Sequence, residues 1–263
     1  MTSIRTDGKW DRESRLAWIT QQALQHNSIT VDEISDALKV SRMTVHRDLD
    51  HLVSLGMVRK TRNGATALPS VVFESDVRYR LHVALSEKEA IAKQALSHVE
   101  PGQVIILDQA TTLLPLAKQL ASVTPLTVIS NFAPILTKLT TVPGVTLIAV
   151  GGEYSSHFDT FSGLICEQTI ASLRADAVFT SAMAVSDNTA YHSEPQMVRV
   201  TRLMMEVARR RYLLVDHTKF GKSALYTVAG LKQFDAVIVD SGLDEKYVLE
   251  LQKGGIRLEI APL

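Results

Sequence analysis

The stretch "SRMTVHRDLDHLVSLGMVRK", residues 41–60, holds two sets of side chains at helical spacing. Val45, Leu49 and Leu52 recur at i, i+4 and i+7, the stripe of a helix packed on a core. Arg42, Thr44, His46 and Arg47 fall on the other side. Guanidinium, hydroxyl and imidazole groups on one solvent-facing surface suit hydrogen bonding to base edges and neutralisation of phosphates. Charge agrees. Across residues 39–62 six basic residues stand against two acidic ones, a local charge of +4, although 28 basic and 28 acidic residues cancel over the 263-residue chain. Such a local excess attracts a polyanion, as phosphate binding requires.

Those side chains need a scaffold, and the preceding residues supply one. Arg12 to His26 puts Leu16, Ile19, Ala23 and Leu24 on one helical stripe, and "HNS" then reads as a loop. "TVDEISDAL" opens with a capping box, Thr30 and Glu33, and carries Val31, Ile34 and Leu38 on one face. Ser41 is a good N-cap for a third helix that ends near Leu55, with Gly56 just beyond it. Helices two and three so closely spaced make a helix-turn-helix. In "MVRKTRNGATAL" the Asn63–Gly64 pair reads as the tip of a hairpin, which completes a winged helix. In that frame Arg42, Met43, Thr44 and His46 are expected to reach base edges, with Ser41 at the helix start. Arg47 and the wing residues Arg59, Lys60 and Arg62 are expected at phosphates. The plainer alternative, a solvated amphipathic helix, explains the stripe but not the cap, hairpin and charge together. For His46 by itself it stands.

Beyond residue 100 the pattern changes. Apolar runs at 104–108, 126–130, 145–150, 176–180, 212–216 and 235–240 alternate with helical stretches. Most are apolar on consecutive residues, as in parallel strands covered on both faces. The expected organisation is a winged helix-turn-helix over 1–68, a linker over 69–86 and an open α/β domain over 87–263. Ligands of such sheets bind beyond the carboxyl ends of the strands. Those ends bring Asp108, Asn131, Gly151, Gly152 and Asp216 into view. In "ILDQATTLLPLAKQL" the hydroxyls of Thr111 and Thr112 open a helix, whose amides and dipole favour a phosphate; from the residues alone, Thr112 as a simple cap is the stronger reading. Gly151 and Gly152 permit close backbone approach, with a plain turn as the alternative.

Composition excludes several classes. One cysteine, Cys166, rules out an internal disulfide or a cysteine-built zinc cage. The first residues hold no apolar stretch fit for a signal peptide, and no apolar run approaches a membrane span. A cytoplasmic protein with no membrane partner is expected. His157, His192 and His217 lack metal-ligand spacing, so no metal site is expected. No nucleotide-binding glycine loop, nucleophile elbow or carboxylate pair placed for proton shuttling is present, so no catalytic residue is assigned. Met204 and Met205 read as core, and Arg209, Arg210 and Arg211 as a solvated helix end.

"VSRMTVHRDLDHLVSLGMVRK" resembles the DNA-reading helix of the DeoR family of sugar-responsive repressors, whose usual form is V-S-x-x-T-I-R-R-D-L-x-x-L. "KEAIAKQAL", "ILDQATT", "LTVISN", "VGGEY", "DHTKFGK" and "LKQFDAVIVD" follow in that family's order, so the resemblance covers nearly the whole chain. It implies an effector domain similar to ribose-5-phosphate isomerase and a small phosphorylated sugar, a pentose phosphate for example, as effector. It also implies double-stranded operator DNA as partner, a homo-oligomer (dimer or tetramer) and no cofactor. The function implied is repression of carbohydrate or deoxynucleoside catabolism genes, lifted by the effector. By the same resemblance Glu194 is a site residue, Lys219 in "DHTKFGK" meets the ligand anion, and Asp216 orients Lys219. Two departures bear on the effector: Ala110 stands where the family loop D-x-G-T-T has glycine, and "SAMAVS" at 181–186 replaces a glycine-bearing stretch. If position 110 requires a positive φ, alanine is strained there; if it requires only close approach, a methyl reshapes the pocket. The alternative from another class is a sugar-phosphate isomerase-like enzyme with an accessory winged-helix module. The basic recognition helix argues against it.

Overall fold

The computed structural model describes residues 10–26, 28–54, 57–67 and 77–263, and the chain divides after Val83 into two compact units. Three helices build the first unit: α1 (Arg12–His26), then, after strand β1 (Ser28–Thr30), α2 (Val31–Leu38) and α3 (Arg42–Ser54). Ile19, Ala23, Ile34, Leu38, Val45, Leu49 and Leu52 are buried together, so the expected apolar stripes are the core. Thr30 and Glu33 form the reciprocal cap on α2, and Lys39 takes a left-handed conformation (φ 52°) at its end, turning the chain into α3. Gly56 and the side chain of Leu24 lie outside the described residues.

The wing exists, with two corrections. β2 (Val58–Thr61) and β3 (Gly64–Ala67) pair antiparallel with Thr61 opposite Gly64, so the tip is Arg62 and Asn63, one residue before the expected Asn63–Gly64. Gly64 is not at a positive φ. Its lack of a side chain serves a different need: a Cβ there would stand 2.0 Å from the Ile29 carbonyl oxygen. That neighbour is the second correction. Residues 28–30, the end of the expected loop and the Thr30 that caps α2, form β1, which pairs with β3 through Ile29 opposite Ala65. The wing is therefore the outer part of a three-stranded sheet, order β1-β3-β2.

Within the stretch 69–86, residues 69–76 lie outside the described residues; a short helix α4 (Val77–Arg80) follows, and α5 (Leu85–Leu96) begins. The second unit is a seven-stranded parallel sheet in the order β15-β14-β12-β9-β4-β5-β6. Its strands are β4 (Val104–Leu107), β5 (Leu126–Ser130), β6 (Val145–Ala149), β9 (Ala175–Thr180), β12 (Ala208–Leu214), β14 (Ala236–Asp240) and β15 (Leu258–Ala261). All six expected runs are present, and β15 was not anticipated. Between them lie α6 (Leu114–Gln119), α7 (Ala133–Leu139), α8 (Gly163–Ala171), α9 (Pro195–Val207) and α10 (Glu245–Lys253). A hairpin, β7 (Glu153–Ser155) and β8 (Thr160–Ser162), precedes α8. A small antiparallel sheet holds β10 (Ala184–Ser186), β11 (Thr189–His192) and β13 (Tyr226–Gly230). No helix among the described residues is long and apolar enough to cross a membrane.

Arg209, Arg210 and Arg211 do not end a helix. α9 stops at Val207, and the three arginines lie in β12, where Arg210 and Arg211 pair with Ala177 and Val178 of β9. Arg211 is held there because its amide donates to the Asp235 carboxylate at 2.8 Å and its Nε donates to the Met205 carbonyl at 2.7 Å. The strand order also marks a place. From β4 the chain winds one way through β5 and β6, then returns to β9 and winds the other way. The carboxyl ends of β4 and β9 flank this switch point, where doubly wound sheets leave a crevice.

Candidate functional site

In the first unit the local chemistry leaves one face of α3 outward. Ser41 caps the helix: the Thr44 amide donates to its hydroxyl at 3.2 Å, and the two hydroxyls lie 3.0 Å apart. Arg42, Met43, His46 and Arg47 are exposed, Met43 at 65%, and Arg47 Nη2 lies 3.9 Å from the Met43 sulfur. Arg59, Lys60 and Arg62 are exposed on β2 and at its tip. The expected interface residues are thus on the surface, and Thr44 is half-buried with its hydroxyl at the cap. Two cations are engaged: Arg42 pairs with Asp32 of α2, and Lys60 of β2 pairs with Asp50 of α3. The second pair ties the wing strand to the recognition helix.

A buried pair underlies that face. Asp48, on the inner side of α3, is 2% exposed and accepts from Arg15 of α1 at 2.8 and 3.3 Å. Charge counting along the sequence enters Asp48 as a surface acid; the fold neutralises it internally, which leaves the outer face more positive. Glu33 is held below the usual carboxylate range, chiefly by the Thr30 amide and then by its hydroxyl. That negative charge stands at the start of α2, where the helix dipole favours it.

In the second unit the expected residues gather at the carboxyl ends of the strands, in three groups. At the switch point Asp108 is buried; its Oδ2 accepts a short hydrogen bond from the Thr180 hydroxyl and another from the Ser181 amide at 3.3 Å. The Ser181 hydroxyl reaches Thr112 at 3.5 Å. Thr111 and Thr112 are buried in a 3-10 turn, Thr111–Leu113, that leads into α6. Ala110 lies at φ −110°, ψ 135°, an ordinary extended conformation, so of the two readings of the missing glycine the strain falls away. Gln109 donates to the Thr201 hydroxyl at 2.9 Å, while its Oε1 is buried without a partner.

At the end of β5, Asn131 is fully buried and holds the β7–β8 hairpin. Its Nδ2 donates to the Phe161 carbonyl at 2.8 Å and its carbonyl accepts from the Thr160 hydroxyl at 2.8 Å. Its Oδ1 remains without a partner. Gly152 is explained by the chain itself: at φ 146°, a Cβ would meet the Ser162 carbonyl oxygen at 2.4 Å. Around Gly151 there is open space. After β12, Asp216 accepts from the Thr218 amide at 3.1 Å and from the Thr218 hydroxyl; it orients that turn and not the ammonium of Lys219, as had been expected. Glu194 stands before α9, its amide donating to His192 Nδ1 at 3.0 Å.

Sequence reasoning passed over His217 and Asp240. Asp240, the last residue of β14, is fully buried and accepts from the His217 amide at 2.8 Å and the Gly242 amide at 2.9 Å, with His217 Nδ1 at 2.7 Å. Its signal was its place as the polar end of an apolar run, the same signal that singled out Asp108. Cys166 is not a nucleophile: burial, and then Glu167, pushes its thiol up to about 11. No cluster of side chains suited to a metal occurs among the described residues.

Residues 15–71 match the model of a DeoR-like helix-turn-helix domain, and residues 83–241 match that of a DeoR C-terminal sensor domain. The chain is 32% identical to the HTH-type transcriptional regulator GolR of Listeria innocua, across 90% of this chain and 94% of that protein. It is 31% identical to the transcriptional repressor AccR of Agrobacterium fabrum, across 88% and 90%. Among solved structures, ribose 5-phosphate isomerase A of Methanocaldococcus jannaschii overlaps 51% of this chain and 53% of its own, at 17% identity and a TM-score of 0.37.

Proposed function

This chain belongs to the DeoR family of transcriptional regulators, and we propose that it represses carbohydrate or deoxynucleoside catabolism genes until a phosphorylated sugar releases it from operator DNA. The family is one of regulators, and the isomerase alternative gives way to it. In this reading α3 enters the major groove, with Arg42, Met43, Thr44 and His46 at base edges beside Ser41. Arg47, Arg59, Lys60 and Arg62 meet phosphates. The observation that supports it most directly is the division of α3: Val45, Leu49 and Leu52 are fully buried, and Arg42, Met43, His46 and Arg47 on the opposite face are exposed. One winged helix offers too little surface for high specificity, so the reading includes a homo-oligomer, dimer or tetramer, on repeated half-sites.

The effector site of this reading is the crevice at the switch point. Buried amides and hydroxyls of Thr111 and Thr112, with Lys219 nearby in chain order after β12, suit a phosphate; Asp108, Asn131 Oδ1 and Glu194 suit sugar hydroxyls. Free energy links the two sites, so a sugar phosphate that binds the free protein better than the DNA-bound form weakens DNA binding by the same factor. The test is a thermal-shift screen of pentose and hexose phosphates on the full chain, followed by competition of the hits against bound duplex. A hit that raises the melting temperature and releases duplex supports the reading. Failure of the protein to bind duplex at low salt removes its first half, and turnover of ribose 5-phosphate removes its second.

A further inference from the structure

Two arginines outside both candidate sites share a cleft. It is open to solvent, has a volume of about 310 Å³, and lies between the last two turns of α9, the middle of β12, the end of β13 and the 3-10 turn Leu231–Gln233. α9 runs straight into β12, so the cleft is on the amino-end side of the sheet, away from the crevice at the carboxyl ends.

Arg202 of α9 donates from Nε to the Val228 carbonyl at 2.9 Å and from Nη2 to the Thr227 carbonyl at 2.7 Å. Arg211 of β12 donates from Nε to the Met205 carbonyl at 2.7 Å. Main-chain carbonyls thus fix both guanidiniums, and no carboxylate among the described residues pairs with either. Tying β13 to α9 and capping the carbonyl end of that helix accounts for these bonds. It does not account for the remaining donors. A guanidinium is a rigid fork of N–H groups, and these bonds engage two on Arg202 and one on Arg211. Glu206 is the one carboxylate of the lining, so the cleft carries two cations against one anion. Met205, Val228 and Ala229, all buried, give it apolar surface. Held guanidiniums, apolar walls and an outnumbered carboxylate suit a small organic anion. Because the carbonyls already fix both arginines, little side-chain freedom is lost when a ligand arrives.

α9 joins this cleft to the switch point. Thr201, next to Arg202, is buried and accepts from Gln109, the residue after Asp108. We propose that the cleft is a second ligand site, which takes a small organic anion by its phosphate or carboxylate and, through α9, changes the affinity of the crevice for its own ligand. The binding claim stands apart from the effector reading above; the coupling rests on it. The anion bridges Arg202 and Arg211 and so ties the end of α9 to β12, while Glu206 meets a hydroxyl or amine of the same ligand. A shift of α9 moves Thr201, and with it Gln109 beside Asp108. No bond is made or broken, and a sugar phosphate in the crevice changes the affinity of the cleft by the same factor.

Met205 lines the cleft and its neighbour Met204 does not, so methyl NMR of the full chain labelled at methionine reads the site with an internal control. The probes are inorganic phosphate, malate and phosphoglycolate, which separate phosphate from carboxylate recognition. At least one should shift the Met205 methyl to saturation. Arg202→Gln and Arg211→Gln should weaken that titration about tenfold, with Arg211→Lys between them and the parent. Glu206→Gln removes the opposing charge and should strengthen it about threefold. If an arginine variant melts without cooperativity, Gly230→Leu takes its place. Position 230 has ordinary backbone angles (φ −68°, ψ 142°), and a Cβ there meets only Gln233 Nε2, at 3.9 Å, so the leucine fills the cleft and spares both arginines. For the coupling, saturating probe should change the parent's affinity for the sugar phosphate found in the screen at least threefold and leave that of Gly230→Leu unchanged. An equal change in both is competition at the crevice and overturns the coupling. A Met205 methyl that ignores every probe at millimolar concentration, or titrates equally in the arginine variants, overturns the site. Should the screen yield no sugar phosphate, the effector reading fails and the coupling with it, while the methyl titration still decides the cleft.

Discussion

In the first unit the candidate residues stand outside the core, with Met43 at 65% exposed while Val45, Leu49 and Leu52 on the same helix are fully buried. In the second unit Asp108, Thr111, Thr112, Asn131 and Asp216 are each 5% exposed or less. The first surface is a set of separable side chains on a finished core. The second is part of the core, and its carboxylates and amide are braced by neighbours: Asp108 by Thr180, Asn131 by Phe161, Asp216 by Thr218. A surface that reads a polyanion can stay solvated, because phosphates come to it. A pocket that selects a small polar ligand has to replace water with fixed groups, and those side chains must already be held in place when the ligand is absent. Substitutions should therefore separate binding from stability in the first unit and entangle them in the second.

Arg15→Met is the substitution most able to break that division. It strips from Asp48, the buried carboxylate under the exposed face, its nearer partner, and leaves only the exposed Arg12 at 3.8 Å. Leaving a buried charge with only that distant partner should cost the first unit up to about 3–5 kcal/mol. Trp10 and Trp18 are the only tryptophans and both belong to this unit, so urea unfolding followed by tryptophan fluorescence reports it selectively. A loss below about 1 kcal/mol would mean that Asp48 is solvated and the outer face less positive than described.

Thr180→Val sharpens the other side of the comparison. It keeps shape and removes the hydroxyl that Asp108 accepts. Hydrogen bonds to a charged group are worth about 1.5–3 kcal/mol, and calorimetry should show that loss in the second unit together with weaker sugar-phosphate binding. Loss of ligand affinity with no change in stability would place Asp108 with the separable residues of the first unit.

Much of this was legible beforehand, and the reasons differ by region. Helical stripes and the Thr30–Glu33 cap are local, so α1 to α3 follow from their own residues. The wing tip slipped by one residue because Gly64 answers to Ile29, thirty-five positions away in sequence, and not to its turn. β12 began early for the same kind of reason: Arg211 is fixed by Asp235 and Met205, which no window around "ARRR" contains. At the sheet ends, single polar residues after apolar runs marked Asp108 and Asn131. Which atoms they hold, and the pairing of His217 with Asp240, depend on the strand order β14-β12-β9-β4.

Arg47→Ala should show the first unit's behaviour in its clean form. Arg47 is exposed and its guanidinium rests only loosely on the Met43 sulfur, at 3.9 Å, so stability should stay within about 0.5 kcal/mol of the parent. Its assigned role is a phosphate contact, so binding to every duplex should weaken together, and the slope of log affinity against log salt should fall by about 1. A loss confined to one base position would move Arg47 from phosphate to base edge.

The smallest effect concerns a partly buried polar cluster at the opposite end of the sheet. Glu259 of β15 accepts from His98 at 2.8 Å and from Gln94 at 3.0 Å, with Arg257 at 3.1 Å. Burial pushes its carboxyl up, and the hydrogen bonds from His98 and Gln94 outweigh that, leaving it below its ordinary 4.5. A carboxyl depressed in the folded state stabilises the fold above its unfolded value and loses that contribution as pH falls through the folded one. Parent and Glu259→Gln should thus differ at neutral pH, by about 2 °C in melting temperature, and converge below about pH 4.5. This cluster braces α5 against β15 far from the switch point, so the variant should keep the parent's response to sugar phosphate and duplex. Were that response lost as well, polar bracing would matter to regulation throughout the sheet, and the distinction between its carboxyl end and the rest would not stand.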